Sequence, residues 1–522
     1  MASPPPASLS YLIISGGTGA NSIASAFGPS PAFVLPVSDD GGSSAEILRC
    51  FGGPSIGDIR SRLSRLIPTK EDVETRDEKE RMAIYNLMAY RFPSDAPERV
   101  VRDLWMEIVE GRSGLWDGIG QDKKECIRAF LVHFQTLCLR RAHKRFSFRN
   151  FSLGNGFLTG ARDLFGSLPS AIFLFKSIAG VDPGVQVIPV INTNQTVTIA
   201  ASLVNGSTII GQCAISHPVE IAGSSPASNI GVPTPAHTPA FTPPPPTPFP
   251  FPFQPQAPEA FARKQAQANH TGSSSSTPSL RTHFRRDSRT FDLDIQSPSE
   301  PASRSSLDGS PRIVVEEPEE KVGGNIGYRK GEEEIPLEAR IERIFYINLY
   351  GQEIYPEPNP EFLDALVQRD ILVYSCGSLY TSIIPCLALR GLASAIAISP
   401  TLRAKVILLN SKNDRETPGY RASDYVQAIL DTLGRFGRRN QPNQWKCTNL
   451  VSHMVHLEGG LVELDRENLD RLGITLVCVP AEVHGPREGR TPMFTPGAVE
   501  WAMARVMEDL QDAGVPAGAN GV

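Results

Sequence analysis

The chain has 522 residues, of which 40% are hydrophobic and 20% charged, and its formal net charge is −5 at pH 7. This length allows roughly two to four domains, or one large α/β domain with an insertion. The composition is typical of a soluble globular protein and excludes a fully disordered or largely membrane-embedded chain. General nucleic-acid binding needs a clustered basic face, so the acidic balance argues against nucleic acid as a partner.

The eight cysteines are scattered, with no C-x-x-C pair and no His/Cys cluster at zinc spacing, so we expect reduced thiols. The first residues lack the basic and apolar regions of a secretory signal. The longest apolar stretch, Ile371 to Ile398, is interrupted by Gly377 and Pro385, which indicates a strand, a turn and a helix rather than a bilayer span. We therefore expect a cytoplasmic protein without a membrane partner, and homo-oligomerisation stays open.

Several short apolar runs end in turns rich in glycine, serine or aspartate. Near the start of the chain these runs are Tyr11 to Ser15 and Ala32 to Val37; in the second half they are Ile371 to Ser375, Lys405 to Leu409 and Ile474 to Val479. Runs of this length are typical of buried parallel strands that lead into helices. Strands that alternate with helical segments predict an α/β fold with a doubly wound, mostly parallel, Rossmann-like sheet.

One local exception is the segment from Val185 to Ile215. Its β-branched runs flank Asn205-Gly206, the strongest short-range hairpin signal. We therefore predict an antiparallel hairpin excursion over residues 185–215.

The next segment, residues 219–335, is dominated by Pro, Ser, Thr and Ala and later by short basic and acidic patches. Such a composition buries too little apolar surface to offset chain entropy, so we expect a long disordered insertion. Residues 1–218 and 336–515 are then the two parts of one α/β domain.

The first motif, Ser15-Gly16-Gly17-Thr18-Gly19-Ala20-Asn21-Ser22, follows the first predicted strand directly. Glycines there let backbone N–H groups approach a phosphate, and the N-terminus of the expected next helix adds its positive dipole end. The spacing nearly matches the dinucleotide fingerprint, with Asp39 as the ribose-binding acid. A structural turn without a ligand is the alternative.

The second motif, Ser38-Asp39-Asp40-Gly41-Gly42-Ser43-Ser44, follows the next predicted strand. Its two carboxylates beside glycines and hydroxyls would suit Mg²⁺ that bridges to phosphate, or hydrogen bonds to a ribose or base. The alternative is that one Asp caps a helix. A little later, Asp58 is expected to cap a helix, while Arg60 offers a forked donor to a phosphate.

Four further features are expected at the same edge of the sheet. Gly154-Asn155 begins a helix and directs an amide at a ligand or acts as a plain cap. The turn from Gly377 to Ser382 forms a second anion cradle with three Ser and Thr hydroxyls. Asn410 ends a strand at the carboxyl edge, where open α/β sheets bind ligands. Tyr420 lies in a covering loop and is available to stack on a base.

His453 and His456 lie near Glu458 without a third ligand at metal spacing, so we interpret them as surface or satisfied histidines. His484 follows the last predicted strand and ranks below the glycine turns as a site residue.

These motifs together resemble the CofD/YvcK family. The resemblance rests on GGTGANS, on SDDGGSSAEILRCFGGPSIGDIRSRLSRL, and on later segments in the same order around Asn155, Ser378, Asn410 and Tyr420. It covers about 400 residues and excludes the insertion.

In the transferase branch of that family, a 2-phospholactyl group moves from a nucleotide diphospho-lactate donor to the deazaflavin Fo with Mg²⁺. The resemblance implies that Gly16, Gly17 and Gly19 contact the donor phosphates and that Asp39 or Asp40 works with the metal. The Asp-Asp-Gly-Gly and Gly-Asp-Ile-Arg motifs look more like the YvcK branch, whose members bind nucleotide sugars and regulate metabolism.

We therefore expect a 2-phospho-L-lactate transferase-like protein that binds a nucleotide-linked phosphate ester and transfers its phospho-group to an acceptor hydroxyl. The alternative is a non-catalytic regulator that binds a nucleotide sugar. The predicted catalytic and metal-binding residues are Asp39 and Asp40. The predicted ligand-binding residues are Gly16, Gly17, Thr18, Gly19, Asn21, Gly41, Gly42, Ser43, Ser44, Asp58, Arg60, Asn155, Gly377, Ser378, Tyr380, Thr381, Ser382, Asn410 and Tyr420.

Overall fold

The computed structural model describes residues 9–17, 19–68, 75–217, 336–436, 445–485 and 491–512. The expected disordered insertion, residues 219–335, lies outside these described ranges, as does Thr18 of the first turn.

The strands of the described chain form one parallel and one antiparallel sheet. They are β1 Tyr11–Ile14, β2 Ala32–Leu35, β3 Gln186–Pro189, β4 Thr198–Leu203, β5 Thr208–Ile210, β6 Ile341–Ile347, β7 Glu353–Ile354, β8 Ile371–Tyr374, β9 Ala404–Leu408, β10 His453–Leu457 and β11 Thr475–Val479. The parallel sheet has seven strands in the order β11-β10-β9-β8-β1-β2-β3, and the antiparallel sheet has four in the order β5-β4-β6-β7. The prediction of a doubly wound parallel sheet with an antiparallel excursion is confirmed.

Helices surround these sheets. They are α1 Gly42–Phe51, α2 Gly57–Arg65, α3 Arg76–Ala89, α4 Glu98–Val109, α5 Gln121–Arg140, α6 Leu153–Phe165, α7 Leu168–Ala179, α8 Gln212–Ser216, α9 Pro360–Leu366, α10 Ile384–Leu387, α11 Leu392–Ala397, α12 Ala422–Arg435, α13 Cys447–Leu450, α14 Arg466–Leu472, α15 Ala481–His484 and α16 Pro496–Asp512. No helix within the described ranges combines the length and apolar character needed to cross a bilayer.

The strand order places a topological switch point between β1 and β8. From β1 the chain proceeds outward through β2 to β3; after the insertion it returns to β8, on the other side of β1, and proceeds outward through β9 to β11. The register joins Tyr11 to Ile371 and Ile14 to Tyr374. Ligands of open α/β sheets bind in the crevice at the carboxyl ends of the strands at such a point.

The segment from Val185 to Ile215 forms two different structures. Its first part is β3, which pairs with β2 as an edge strand of the parallel sheet and not as part of the hairpin. The hairpin consists of β4 and β5, joined at Asn205-Gly206, where Gly206 has a positive φ of 86°. After the insertion, β6 pairs with β4, so both halves of the chain build the antiparallel sheet.

Close glycine contacts fix α6 within the helical layer. A Cβ atom placed on Gly160 would lie 2.4 Å from the carbonyl oxygen of Phe130, and one on Gly154 would lie 2.6 Å from that of Met88. Glycine at these positions lets α6 pack tightly against α3 and α5, since any larger residue would push the backbones apart. Asn155, at the start of α6, lies beside α1 and α2.

Candidate functional site

The turns after β1 and β8 touch each other at the switch point. A Cβ atom on Gly16 would lie 2.3 Å from Ser382 Oγ, and one on Gly19 would lie 3.3 Å from the carbonyl oxygen of Cys376. The two turns are therefore packed backbone against backbone, and only glycine at position 16 leaves room for Ser382.

The first turn is held in shape by α2. The backbone N–H of Gly17 donates to the carboxyl group of Asp58. Arg62 is fully buried, and its guanidinium donates to the carbonyl oxygen of Ala20 at 3.1 Å and to Ser15 Oγ at 3.0 Å. Asn21 donates through Nδ2 to Ser61 Oγ at 2.8 Å. Arg62 was not among the predicted residues, although it stands two positions after Arg60 in the same motif.

The structure corrects the expectation that a helix follows the first turn. Only two short 3₁₀ segments, Gly19–Asn21 and Ala24–Phe27, connect this turn to β2. A full helix macrodipole needs a longer run of aligned peptides. The long helix that begins near the switch point is α1, which starts one residue after Gly41.

Asp39 stabilises the second turn from within. Its Oδ1 accepts the backbone N–H of Gly41 at 3.0 Å, and its Oδ2 accepts the hydroxyl of Ser44 at 2.9 Å. A Cβ atom on Gly57 would lie 2.2 Å from Asp39 Oδ2, so glycine at the start of α2 allows this carboxyl group to fit. Burial raises the pKa of Asp39.

Asp40 has different hydrogen-bond partners from Asp39, so the two do not form the predicted carboxylate pair. Its Oδ1 accepts the backbone N–H of Cys213 at 2.7 Å, and the backbone of Gln212 also hydrogen-bonds to it, so Asp40 binds the start of α8. A Cβ atom on Gly211 would lie 2.4 Å from Asp40 Oδ2. Asp40 thus caps a helix, but that helix is α8 rather than α1.

The acidic partner of Asp39 is Asp58 instead. Burial and, to a smaller extent, the Asp39 carboxylate raise the pKa of Asp58 to about 8, while Arg62 and Arg60 oppose the shift. Asp58 Oδ2 is buried and has no hydrogen-bond partner in the described chain. Asp39 and Asp58 are thus neighbouring carboxyl groups whose pKa values are both raised by burial, and the charge of Asp39 opposes ionisation of Asp58.

A polar bridge connects α1, α2 and α6. Asn155, which is buried, donates through Nδ2 to Ser43 Oγ at 2.6 Å, and its Oδ1 accepts from Arg60 Nε at 3.3 Å. This bridge holds the Arg60 guanidinium near Asp39 and Asp58. The structure brings together the predicted residues Ser43, Arg60 and Asn155. No side chain caps the start of α6.

Guanidinium groups surround the two carboxyl groups. Burial lowers the pKa of Arg60 and of Arg62 to about 10, so both stay protonated at neutral pH. Arg91, which is exposed and donates to the carbonyl oxygen of Asn150 at 2.7 Å, adds its charge to the surroundings of Asp39. Nothing in the sequence pattern placed Arg91 here, because it lies in the segment after α3, outside the ligand motifs.

The third turn holds a carboxyl group that belongs to the protein itself. Glu416, which is 1% exposed, accepts the backbone N–H groups of Tyr380 and Thr381 at 2.8 Å and 3.2 Å. Thr381 Oγ1 also donates to Glu416 at 2.5 Å. Glu416 therefore fills the expected second cradle. The other predicted residues of this turn, Gly377, Ser378 and Ser382, are half-buried.

Tyr420 also differs from its prediction. It is buried, its hydroxyl hydrogen-bonds to that of Tyr380 at 2.8 Å, and Arg340 lies 4.8 Å from its ring centre. The ring packs against Tyr425, so its faces are not available to stack on a base. Asn410 lies at the carboxyl edge as expected and donates through Nδ2 to the carbonyl oxygen of Gly377 at 2.8 Å.

The two histidines of β10 are buried and not on the surface. His453 shares a hydrogen bond of 2.8 Å with Ser452, whereas Nε2 of His456 is buried without a partner in the described chain. His484 hydrogen-bonds to the carbonyl oxygen of Glu458. Within the described ranges no three His, Cys, Asp or Glu side chains are arranged to hold a metal ion by themselves.

These features define a doubly wound α/β protein in which glycine-rich and acidic turns meet at the switch point of the parallel sheet. A sequence profile of the family described as 2-phospho-L-lactate transferase CofD matches residues 12–480. The chain belongs to this family, which confirms the resemblance seen in its motifs.

Several relatives agree with that assignment. An uncharacterized protein of Saccharomyces cerevisiae is 33% identical over 483 residues, which cover 89% of this chain and 94% of the yeast protein. The gluconeogenesis factor of Bacillus subtilis is 34% identical over 151 residues, and that of Halalkalibacterium halodurans is 37% identical over 105 residues. These alignments cover 28% and 20% of this chain and only 45% and 31% of the bacterial proteins.

A crystal structure supports the fold. The UPF0052 family member from Bacillus halodurans superposes with a TM-score of 0.50 at 17% identity, covering 95% of this chain and 99% of that one. At this identity the likeness concerns the fold alone.

Proposed function

We propose that the chain binds a nucleotide-linked phosphate ester across the turns after β1 and β2 and transfers its phospho-group to an acceptor hydroxyl. The observation that carries the proposal is the meeting of three elements at the switch point: the Gly16–Gly19 turn, the N-terminus of α1, and the neighbouring carboxyl groups of Asp39 and Asp58. Backbone N–H groups at a glycine turn and at a helix start are suited to phosphate.

The charges around these turns favour an anion. Arg60, Arg62 and Arg91 stand near carboxyl groups whose pKa values are raised. Because the Asp58 carboxyl is mostly protonated at neutral pH, the positive charge of the three guanidinium groups is in excess. A phosphate oxygen is the natural partner of such guanidinium groups, because the fork geometry matches it.

The chemistry follows from the carboxyl pair. The acceptor hydroxyl oxygen forms a bond to the distal phosphorus of the donor, and the bond from that phosphorus to the bridging oxygen breaks. The hydroxyl proton passes to the carboxylate of the Asp39 and Asp58 pair, and a nucleoside monophosphate leaves with the bridging oxygen. Catalysis of this kind is mainly positioning and electrostatic stabilisation.

Mg²⁺ would be held by Asp39 and Asp58 rather than by Asp39 and Asp40. The unpartnered, buried Oδ2 of Asp58 and the adjacent Asp39 carboxyl fit an ion that takes one or two protein carboxylates and completes its shell with water and phosphate oxygens. When bound, it would neutralise charge on the transferring phosphate.

A second candidate is a non-catalytic regulator that binds a nucleotide sugar at the same turns. It is supported by the name gluconeogenesis factor carried by the bacterial relatives. The same anion-binding geometry serves both functions, and they differ in whether the bound ester turns over.

Calorimetry with nucleoside diphospho-sugars and nucleoside diphospho-lactate, with and without Mg²⁺, followed by product analysis, separates these functions. Transfer predicts Mg²⁺-dependent release of nucleoside monophosphate, which Asp58→Asn abolishes while the ester still binds. Asp364→Asn, a change of the same kind at an exposed position on α9, is the matched control. Binding without turnover supports the regulator, and an absence of binding contradicts both.

A further inference from the structure

A cavity of about 180 Å³ lies beside the candidate site, at the carboxyl ends of β9, β10 and β11. Its walls include the apolar side chains of Leu409, Leu457, Val462 and Leu464. Pockets that enclose a whole ligand usually measure about 300 Å³ or more, so this one has room for a single ring system of a larger molecule.

His456 provides an unsatisfied polar atom beside that cavity. The residue is 8% exposed and lines the cavity, and its Nε2 is buried without a hydrogen-bond partner in the described part of the chain. Burial lowers the pKa of His456, so the ring is neutral at pH 7 and one nitrogen can donate while the other accepts. A buried polar atom without a partner costs free energy that a suitable ligand atom recovers.

Asn410 connects this cavity to the switch point. It lines the cavity, and its Nδ2 donates to the carbonyl oxygen of Gly377 in the turn that follows β8. That turn contacts the Gly16–Gly19 turn directly. A molecule with its phosphates at the first turn could therefore extend along the sheet edge past Asn410 into the cavity.

We propose that this cavity receives the nucleobase of the nucleotide-linked ligand, with the apolar side chains against the faces of the ring and His456 Nε2 hydrogen-bonded to its edge. This inference rests on the proposed function, since it assigns a second subsite to the same ligand. An apolar slot with one or two placed polar groups is the usual form of a site for a planar heterocycle.

Cys478 offers a direct test in the unaltered chain. It lines the same cavity, its Cα pairs in register with that of His456, and it is exposed. The experiment measures the rate at which N-ethylmaleimide modifies each cysteine, by mass mapping of the full chain. Adenosine, guanosine, cytidine and uridine diphosphates are added in turn, with inorganic pyrophosphate as the probe that lacks a base.

We expect that at least one nucleoside diphosphate, at about ten times its dissociation constant, slows modification of Cys478 about tenfold, as mass action requires. Pyrophosphate should leave Cys478 unprotected. Cys126, which is half-buried on α5 and does not line the cavity, should react at the same rate throughout.

His456→Phe gives an independent measure. The variant fills the same space without Nε2, so its affinity for the protecting nucleotide should fall about tenfold, while its affinity for pyrophosphate stays unchanged. If a nucleotide binds by calorimetry but leaves Cys478 reactive, or if pyrophosphate protects equally, the nucleobase subsite is wrong and the proposed function stands. If no nucleoside diphosphate binds, both the subsite and the proposed function fail.

Discussion

Gly17 and Asp58 approach so closely that a Cβ atom on Gly17 would lie 2.3 Å from Asp58 Oδ1. The Gly17 N–H donates to the same carboxyl group. The glycine-rich turn after β1 therefore packs directly against the Asp58 side chain from α2. A change in Gly17 or in Asp58 will affect the position of the other.

Gly17→Ala should therefore disturb the ligand site more than the fold. The added methyl group must displace either the turn or the Asp58 carboxyl, and we expect nucleotide affinity to fall at least about tenfold. Gly114→Ala is the control, because its Cβ would meet only Asp117 Oδ2 at 3.6 Å. Isothermal titration calorimetry measures both. Equal affinities in the two variants would mean that the ligand does not contact this turn.

Asp40 is predicted to stabilise the start of α8 rather than to bind the ligand. Asp40→Ala leaves the backbone N–H of Cys213 without its acceptor, which should lower the free energy of unfolding by about 1–3 kcal/mol. Asp40→Asn keeps an acceptor oxygen and should cost less than about 1 kcal/mol. Urea denaturation compares the two. Unchanged stability with lost nucleotide binding in both variants would instead assign Asp40 to the ligand or metal.

The bridge through Asn155 should show strong coupling. Asn155→Ala removes the acceptor of Arg60 and the donor to Ser43, and we expect a loss of about 1–3 kcal/mol in unfolding free energy. A double-mutant cycle with Ser43→Ala isolates the hydrogen bond between the two side chains, with an expected coupling of about 1 kcal/mol. Strictly additive effects would show that this contact does not contribute.

The pH dependence of stability should include a term from Glu416. Burial raises its pKa from 4.5 to about 8 in the folded chain. Between these values the folded chain holds a proton that the unfolded chain has released, so stability falls as pH rises from about 4.5 to 8.

Glu416→Gln removes that titration and keeps an acceptor for Thr381. Urea denaturation at several pH values should show wild type losing stability relative to Glu416→Gln across this window, with a constant difference above it. A difference that does not change with pH would mean that Glu416 is ionised throughout, held by its three hydrogen bonds.

The strands that could be predicted are those whose side chains form unbroken apolar runs. β1, β2, β8, β9 and β11 were all indicated in this way. β10 was missed because His453 and His456 interrupt its apolar pattern, although both side chains are buried in the folded chain. The helices α3 to α5 carry no ligand-binding motif. Their packing depends on contacts between aromatic residues far apart in the sequence, such as Trp105 and Phe148, which a local pattern does not reveal.

The candidate site could be predicted as a set of turns but not as a set of contacts. Glycine and aspartate after a strand indicate where a ligand can approach the backbone. Which carboxyl faces which amide depends on packing between segments far apart in sequence, as the pairing of Asp40 with α8 and of Glu416 with the third turn shows. For the same reason the carboxyl pair is Asp39 with Asp58, although Asp40 is adjacent in sequence.

The most direct test of the central claim is a crystal structure of the protein with a bound nucleoside diphosphate. The account predicts that the diphosphate lies at the switch point, within hydrogen-bonding distance of the backbone N–H groups of Gly16, Gly17 and Gly19 or of the start of α1. A diphosphate bound at the amino ends of the strands, or on the antiparallel sheet, would contradict it.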